Sequence, residues 1–309
     1  MKLVFMGTPD FARTSLKKLI HSPHEVVAVV TVPDKPQGRG QKLKPSPVKQ
    51  LAVDLGLPVL QPVKLRDPQF VEQLKQFNAD AFVVVAFKIL PPEVFNIPPK
   101  GTVNLHASLL PRYRGAAPIN WAIINGETET GVTTILINER VDEGNMLLQK
   151  SVPIAPDMTA GELHDLLAEI GADVLVETLN RLEANDIVPV KQDEGQATRA
   201  PKITRKICHL NFNQTAQKVH NWIRGLSPYP AAYCYWQGKL LKIFRSRPVA
   251  RLSDDVPPGT VVKVFKNGFT VKCASGAVDI FEVQVQGKKR MTVEDFLNGY
   301  RLQAGQLLE

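Results

Sequence analysis

Asn104-Leu105-His106, with Asp142 further along the chain, is the set of residues best equipped for chemistry. Asn104 and His106 stand two residues apart at what reads as the end of a strand, so both side chains point to the same side of the sheet. An amide can donate a hydrogen bond to a developing oxyanion, an imidazole can move a proton, and a carboxylate can orient the imidazole. Together they suit acyl transfer to an amine. A lone histidine is more often an ordinary core or surface group, but Asn-x-His running directly into Ser-Leu-Leu-Pro and two arginines, Arg112 and Arg114, is less easily incidental. Asp142 lies in Glu139-Arg140-Val141-Asp142-Glu143-Gly144, where its plain role would be to form a turn. The residue types alone leave open which amine is the acceptor.

These residues need a frame. Residues 2–6, 25–32, 58–61, 80–86 and 101–106 read as short apolar strands, and amphipathic segments at 10–20, 47–55 and 68–77 lie between the first four. Strands alternating with helices predict an α/β fold with a doubly wound, mostly parallel sheet. Such a sheet binds ligands beyond the carboxyl ends of its strands, where Phe87-Lys88-Ile89-Leu90 and the loop after His106 emerge. The first turn, Gly7-Thr8-Pro9-Asp10, lacks the second and third glycines of a dinucleotide fingerprint. A nicotinamide dehydrogenase is therefore disfavoured, and Asp10 is expected to begin a helix. Two more strands near 132–137 and 146–149 and a long helix over 159–182 complete the domain.

Residues 186–206, with Gln, Gly, Thr and Pro-Lys, read as a linker. An amphipathic helix follows, for which Asn213 is a plausible N-cap, and then about five short strands between 231 and 285. That spacing predicts a small OB-like β-barrel. The expected organisation is a catalytic domain over 1–185, a basic linker over 186–206 and a C-terminal domain over 207–309.

The net charge of +8 is unevenly spread. Residues 1–200 hold 21 Lys+Arg against 23 Asp+Glu, whereas residues 201–309 hold 17 against 7, so the whole positive excess is C-terminal. Within the first domain, Lys35, Arg39, Lys42, Lys44 and Lys49 against Asp34 make a local basic island in a Pro- and Gly-containing loop. Both features favour a polyanionic partner, nucleic acid being the commonest. No apolar run approaches a membrane span, and the N-terminal Met1–Gly7 reads as a buried strand and not as a signal peptide, so the expected compartment is the cytoplasm. Cys208, Cys234 and Cys273 lack metal spacing and are odd in number; reduced structural thiols and no metal are expected.

Asn104 to Pro118, read as Asn-x-His-x-Ser-Leu-Leu-Pro-Arg-x-Arg-Gly-Ala-Ala-Pro, resembles the signature of the folate-dependent formyltransferases. The resemblance extends over nearly the whole chain. It takes in Gly7-Thr8-Pro9-Asp10-Phe11-Ala12, Gly38-Arg39-Gly40 with Pro45-Ser46-Pro47-Val48-Lys49, Ala200-Pro201-Lys202-Ile203, and Arg224-x-Leu226-x-Pro228-x-Pro230. It implies a Rossmann-like formyltransferase fold and transfer of the formyl group of 10-formyltetrahydrofolate to the α-amino group of methionine on initiator methionyl-tRNA. Asn104, His106 and Asp142 would be catalytic. Ser108, Leu109, Leu110, Pro111, Phe87, Lys88, Ile89, Leu90, Asn138 and Val141 would receive the folate. Arg39, Lys42, Lys44, Lys202, Arg205 and Lys206 would meet the tRNA, with the protein a monomer. The sequence departs from the family at Phe87-Lys88, usually Tyr-Gly, and at Glu143-Gly144-Asn145, usually Thr-Gly-Asp. Two rivals remain at this level: formyl transfer to a small amine, such as glycinamide ribonucleotide or an amino sugar, and a noncatalytic RNA-binding module with a disused folate site.

Overall fold

A computed structural model describes residues 1–37, 42–249 and 255–309, the side chains of Gln37 and Lys42 excepted. By compactness the chain divides into two units. The first comprises Met1–Gly115, Thr130–Val152 and His164–Arg199; the second comprises Ala116–Glu129, Pro153–Leu163 and Ala200–Glu309.

The first unit is built on one sheet, whose strands from edge to edge are Met146–Pro153, Glu129–Leu136, Thr102–His106, Ala81–Val85, Lys2–Gly7, Glu25–Val30 and Val59–Leu60. The five strands from Val59–Leu60 to Thr102–His106 are parallel, and Glu129–Leu136 runs antiparallel to Thr102–His106. Helices Asp10–Ile20, Pro47–Asp54 and Pro68–Gln76 provide the crossovers. The order of winding reverses between Lys2–Gly7 and Ala81–Val85, which is where doubly wound sheets open a crevice for ligands.

Local chemistry explains these elements. Ala81–Val85 is buried at every position, as an unalternating run of Phe and Val requires. Full burial of a side chain such as Phe82 contributes about 1.5–3 kcal/mol. The Ser46 hydroxyl and the Asp67 carboxylate accept from Lys49 N and Gln69 N and cap their helices, each followed by proline at the first helical position. Asp10 does begin the first helix. A Cβ on Gly7 would lie 2.6 Å from that of Ala12, so only glycine lets this helix start so tightly behind its strand.

The second unit carries an antiparallel sheet in the order Ala232–Trp236, Lys239–Val249, Ala277–Val285, Gly268–Lys272 and Val261–Phe265, with Met291–Thr292 also paired to Ala277–Val285. The five expected strands are all present. Its two edges, Ala232–Trp236 and Val261–Phe265, are joined not to each other but through the final residues. Leu308 bridges to Trp236 and Leu307 to Thr260, while Tyr235 and Glu309 exchange backbone hydrogen bonds and Val261 N donates to Gln306 O.

Against this sheet lies the helix Ala216–Leu226, which buries Ala216, Val219, Ile223 and Leu226. Its N-cap is Thr215, not Asn213: the Thr215 hydroxyl accepts from Lys218 N, and Asn213 instead sits in a bend where its N–H donates to Asn211 Oδ1. The reason is register, since the buried face begins at Ala216 and the cap must immediately precede it. The short helix Pro118–Ile124 packs on Ala216–Leu226. Trp121 meets Trp222 edge to face, Asn120 Nδ2 donates to Gly225 O, and a Cβ on Gly225 would lie 2.7 Å from Ile124 Cγ1. The three cysteines are free and buried, and burial pushes the Cys234 and Cys273 thiols up to about 12. No helix of the described residues is long and apolar enough to cross a membrane.

Candidate active site

The ladder of the first sheet aligns Met6, Val84, Asn104 and Ile135 across four neighbouring strands, and His106 lies opposite Thr133. Asn104 and His106 are therefore at the carboxyl end of a parallel strand, separated from the reversal in winding by the single strand Ala81–Val85. The Asn104 carboxamide makes no hydrogen bond to the described residues and is half-buried. A donor left unpaired at this place can serve an incoming oxygen.

His106 is buried and held on both sides. Its Nε2 lies 3.0 Å from Tyr113 O, and its Nδ1 lies 3.7 Å from Asp142 Oδ1. A carbonyl oxygen only accepts, so Nε2 carries a hydrogen, and Nδ1 is the nitrogen at which a proton can come and go. Tyr113 presents that carbonyl from a left-handed backbone, φ 62°, and its N–H donates to Thr198 Oγ1 at 2.8 Å. Asp142 is also left-handed, φ 58°, a conformation that aspartate tolerates better than most residues. Its Oδ2 accepts from Gly115 N at 2.9 Å, so the two carboxylate oxygens face separate partners.

The Asp142 loop is braced by residues far away in sequence. Gln192 Nε2 donates to Asp142 O and Gly144 O, at 2.7 and 2.8 Å. Gln192 Oε1 accepts from Arg114 Nε and Nη2, and Arg114 continues to both carboxylate oxygens of Glu194. The hydrogen bonds to Glu194 raise the Arg114 pKa further, against the opposing effect of burial. Glu143, one of the departures from the family pattern, lies 3.5 Å from the Arg114 guanidinium and thus joins the same network. A Cβ on Gly144 would lie 1.8 Å from Leu136 O, which excludes every other residue there without a backbone shift.

The candidate ligand-loop residues fall into two groups. Ser108 and Leu110 are buried and fix their loop: Ser108 Oγ donates to Arg112 O within it, while Leu110 N donates to Thr133 Oγ1 and Gln149 Nε2 donates to Leu110 O from the neighbouring strands. Leu109 and Pro111 are half-buried. Phe87-Lys88-Ile89-Leu90 follows Ala81–Val85, with Leu90 buried, Lys88 exposed and Ile89 73 % exposed. Val141 is likewise exposed, while Asn138 binds its own turn, accepting from Arg140 N and donating to Glu143 O. Exposed apolar side chains on loops at the carboxyl ends of strands suit a planar ring. Thr8 Oγ1, at the reversal in winding, is buried without a hydrogen-bond partner among the described residues.

Of the basic candidates, Lys44 is exposed on the hairpin formed by Lys35–Gln37 and Lys42–Lys44. Arg39 and the Lys42 side chain lie outside the described residues. Thr31 and Ser46 share a buried hydrogen bond at the base of the hairpin, and Asp34 accepts from Lys49 Nζ and Gln61 Nε2. Lys202, Arg205 and Lys206 are exposed in the second unit, the last two on the helical turn Arg205–Cys208.

Thr133, Gln149 and Gln192 carry no signal in the sequence. Thr133 reads as an ordinary β-branched strand residue and Gln192 as part of a polar linker, yet each is a hydrogen-bonding hub. Arg114 belongs to the motif, but nothing in the motif reveals that it faces inward. Among the described residues no cluster of His, Cys, Asp or Glu is arranged to hold a metal.

Comparison with known proteins agrees with this geometry. The formyl transferase family model matches residues 1–179, and the model of the formyl transferase C-terminal domain matches residues 202–301. A methionyl-tRNA formyltransferase from Citrifermentans bemidjiense is 48% identical over 100% of this chain and 96% of its own length; one from Caldanaerobacter subterraneus is 47% identical over 100% of both. Among solved structures, an N-formyltransferase from Helicobacter canadensis, in complex with folinic acid and dTDP-3-aminofucose, superposes with a TM-score of 0.68. It is 23% identical and is matched over 94% of this chain and 100% of its own, a likeness of fold. The chain belongs to the formyl transferase family.

Proposed function

We propose that this chain transfers the formyl group of 10-formyltetrahydrofolate to the α-amino group of methionine on initiator methionyl-tRNA, the step that prepares the tRNA for translation initiation. The observation that carries this reading is similarity at 47–48% identity over the full length of proteins named methionyl-tRNA formyltransferase. The arrangement around His106 and the basic residues 201–309 support it independently.

In the proposed reaction the neutral amine adds to the formyl carbon, and the carbonyl oxygen gains negative charge as it does so. The unpaired Asn104 carboxamide donates to that oxygen. His106, with Nε2 fixed by Tyr113 O, takes the amine proton at Nδ1 and passes it to N10 of the folate as the C–N10 bond breaks and tetrahydrofolate leaves, while Asp142 stabilises the imidazolium and sets its tilt. The donor binds at the reversal in winding. The loops Phe87-Lys88-Ile89-Leu90, Ser108-Leu109-Leu110-Pro111 and Asn138–Val141 flank it, with Ile89 and Val141 supplying apolar contact and the buried Ser108 and Leu110 holding their loop in shape. The folinic acid held by the Helicobacter canadensis protein of the same fold supports a folate donor. Residues 1–185 carry the chemistry, the linker 186–206 supplies Lys202, Arg205 and Lys206, and these with the basic strands of 207–309 join Arg39, Lys42 and Lys44 in binding tRNA phosphates. A cytoplasmic monomer is the working form of this proposal.

The test is formylation of initiator methionyl-tRNA with 10-formyltetrahydrofolate. Wild type should turn over and Asn104→Ala should lose about 10²–10³ in kcat, the usual cost of one oxyanion donor. Turnover on free small amines with none on the charged tRNA would sink the reading.

A further inference from the structure

We infer that Gln192 is a positioning residue for the reaction: it fixes the backbone of the Asp142 loop, and so the catalytic carboxylate, through a brace shared with Arg114 and Glu194. The inference rests on the transferase reading above.

Gln192 lies in the polar run Lys191-Gln192-Asp193-Glu194-Gly195-Gln196, which by composition is a solvated connection, yet it is only 4% exposed. All four of its side-chain hydrogen-bonding positions are spent on one task. The two amide hydrogens go to Asp142 O and Gly144 O, on either side of Glu143, and the oxygen receives Arg114 Nε and Nη2. A side-chain amide is the group that can do this, because the loop offers only acceptors and Arg114 only donors. Lys and Arg lack an acceptor for Arg114; Glu lacks a donor for the two carbonyls.

The need for such a brace follows from the loop's backbone. Asp142 sits at φ 58° and Gly144 passes against Leu136 O, so neither conformation nor packing would hold this turn uniquely without external bonds. Asp142 in turn reaches His106 at 3.7 Å and Gly115 N at 2.9 Å. Arg114 and Gly115 are neighbours, so one segment is bound to the Asp142 loop twice: by its backbone to the carboxylate and by its side chain, through Gln192, to the carbonyls. A shift of about 1 Å at a catalytic group can cost about 10²-fold in rate.

The test uses the full-length protein with initiator methionyl-tRNA and 10-formyltetrahydrofolate. Gln192→Glu keeps size and the acceptor for Arg114 but removes both donated bonds; Gln192→Met removes all polarity. Both should lower kcat by about 10–10²-fold while KM for each substrate stays within about threefold. Placed on Asp142→Asn, either change should add less than about threefold, because a residue acting through Asp142 has nothing left to position. Gln196→Ala, in the same turn, should retain wild-type kcat. Thermal unfolding of each variant identifies loss of fold, and Gln192→Glu supplies the reading if Gln192→Met fails to fold. Unchanged kcat in Gln192→Glu, or a loss that multiplies fully on the Asp142→Asn background, overturns the inference. An inactive wild type would instead overturn the transferase reading.

Discussion

Two charged loops of the first unit are built on opposite plans. The Asp142 loop is tied by its carboxylate, its carbonyls and its flanking Glu143 to two distant segments, Arg114-Gly115 and Gln192. The basic hairpin strands Lys35–Gln37 and Lys42–Lys44 are, among the described residues, tied by side chains at their base, through the Thr31–Ser46 bond and the Lys49–Asp34–Gln61 cluster. Lys35 and Lys44 make no ion pair with the described residues and are exposed. The contrast matches the role proposed for each loop. A carboxylate that orients an imidazole loses value with every tenth of an ångström of drift, whereas cations meant for phosphates lose value if the protein neutralises them first.

The sharpest way to break this contrast is Gly144→Ala. With Leu136 O only 1.8 Å from the new Cβ, the Asp142 loop must move, and kcat should fall by about 10²-fold or more, with KM for the folate rising as Val141 moves with the loop. Steady-state kinetics with both substrates checks it; normal kcat would mean that the loop tolerates displacement.

A smaller effect is expected at the hairpin. Lys35→Gln combined with Lys44→Gln should raise KM for the tRNA by about tenfold at moderate salt, leave kcat at saturation near wild type, and flatten the salt dependence of tRNA binding by about two phosphate contacts. Filter binding across a salt series would expose a failure, which is an unchanged slope.

The smallest effect concerns the base of the hairpin. Hydrogen bonds from Lys49 and then Gln61 hold the Asp34 carboxyl below its ordinary 3.8. A depressed carboxylate gives its support above its unfolded value and loses it as pH falls through the lower folded value. The hairpin base should therefore stay intact at pH 5 and loosen only below the usual carboxylate range, as a carboxyl-carbon NMR titration of Asp34 would report. Asp34→Asn should remove that transition and leave the Asp142 loop unaffected.

Sequence and structure agree where the physics is periodic. The five parallel strands, the helices between them and the five strands of the second unit follow from apolar runs, amphipathic spacing and turn residues. Asn104 and His106 were legible because side chains two apart on a strand share a side, and Asp142 was named through the family motif. What the sequence did not reveal is polar and non-local. Gln192 and Thr133 each satisfy several backbone groups from across the fold, and a buried amide looks like a solvated one until its partners are known. The assignment of Ala116–Glu129 to the second unit is similar, since the Trp121–Trp222 contact and the Ile124–Gly225 approach are long-range. The cap at Thr215 lies only two residues from Asn213, and the choice between two good capping residues was made by the buried face that follows.

The seam in the second sheet has a bearing on how this protein is made. Ala232–Trp236 and Val261–Phe265 are synthesised well before residues 305–309, the segment that bridges them. Until that segment arrives, two lengths of strand stand with open N–H and C=O groups, the usual template for sticking to another chain. The nascent chain is thus prone to aggregate until residues 305–309 have emerged, and a variant that weakens Leu307 or Leu308 should show its cost as poor soluble yield before it shows any loss of turnover.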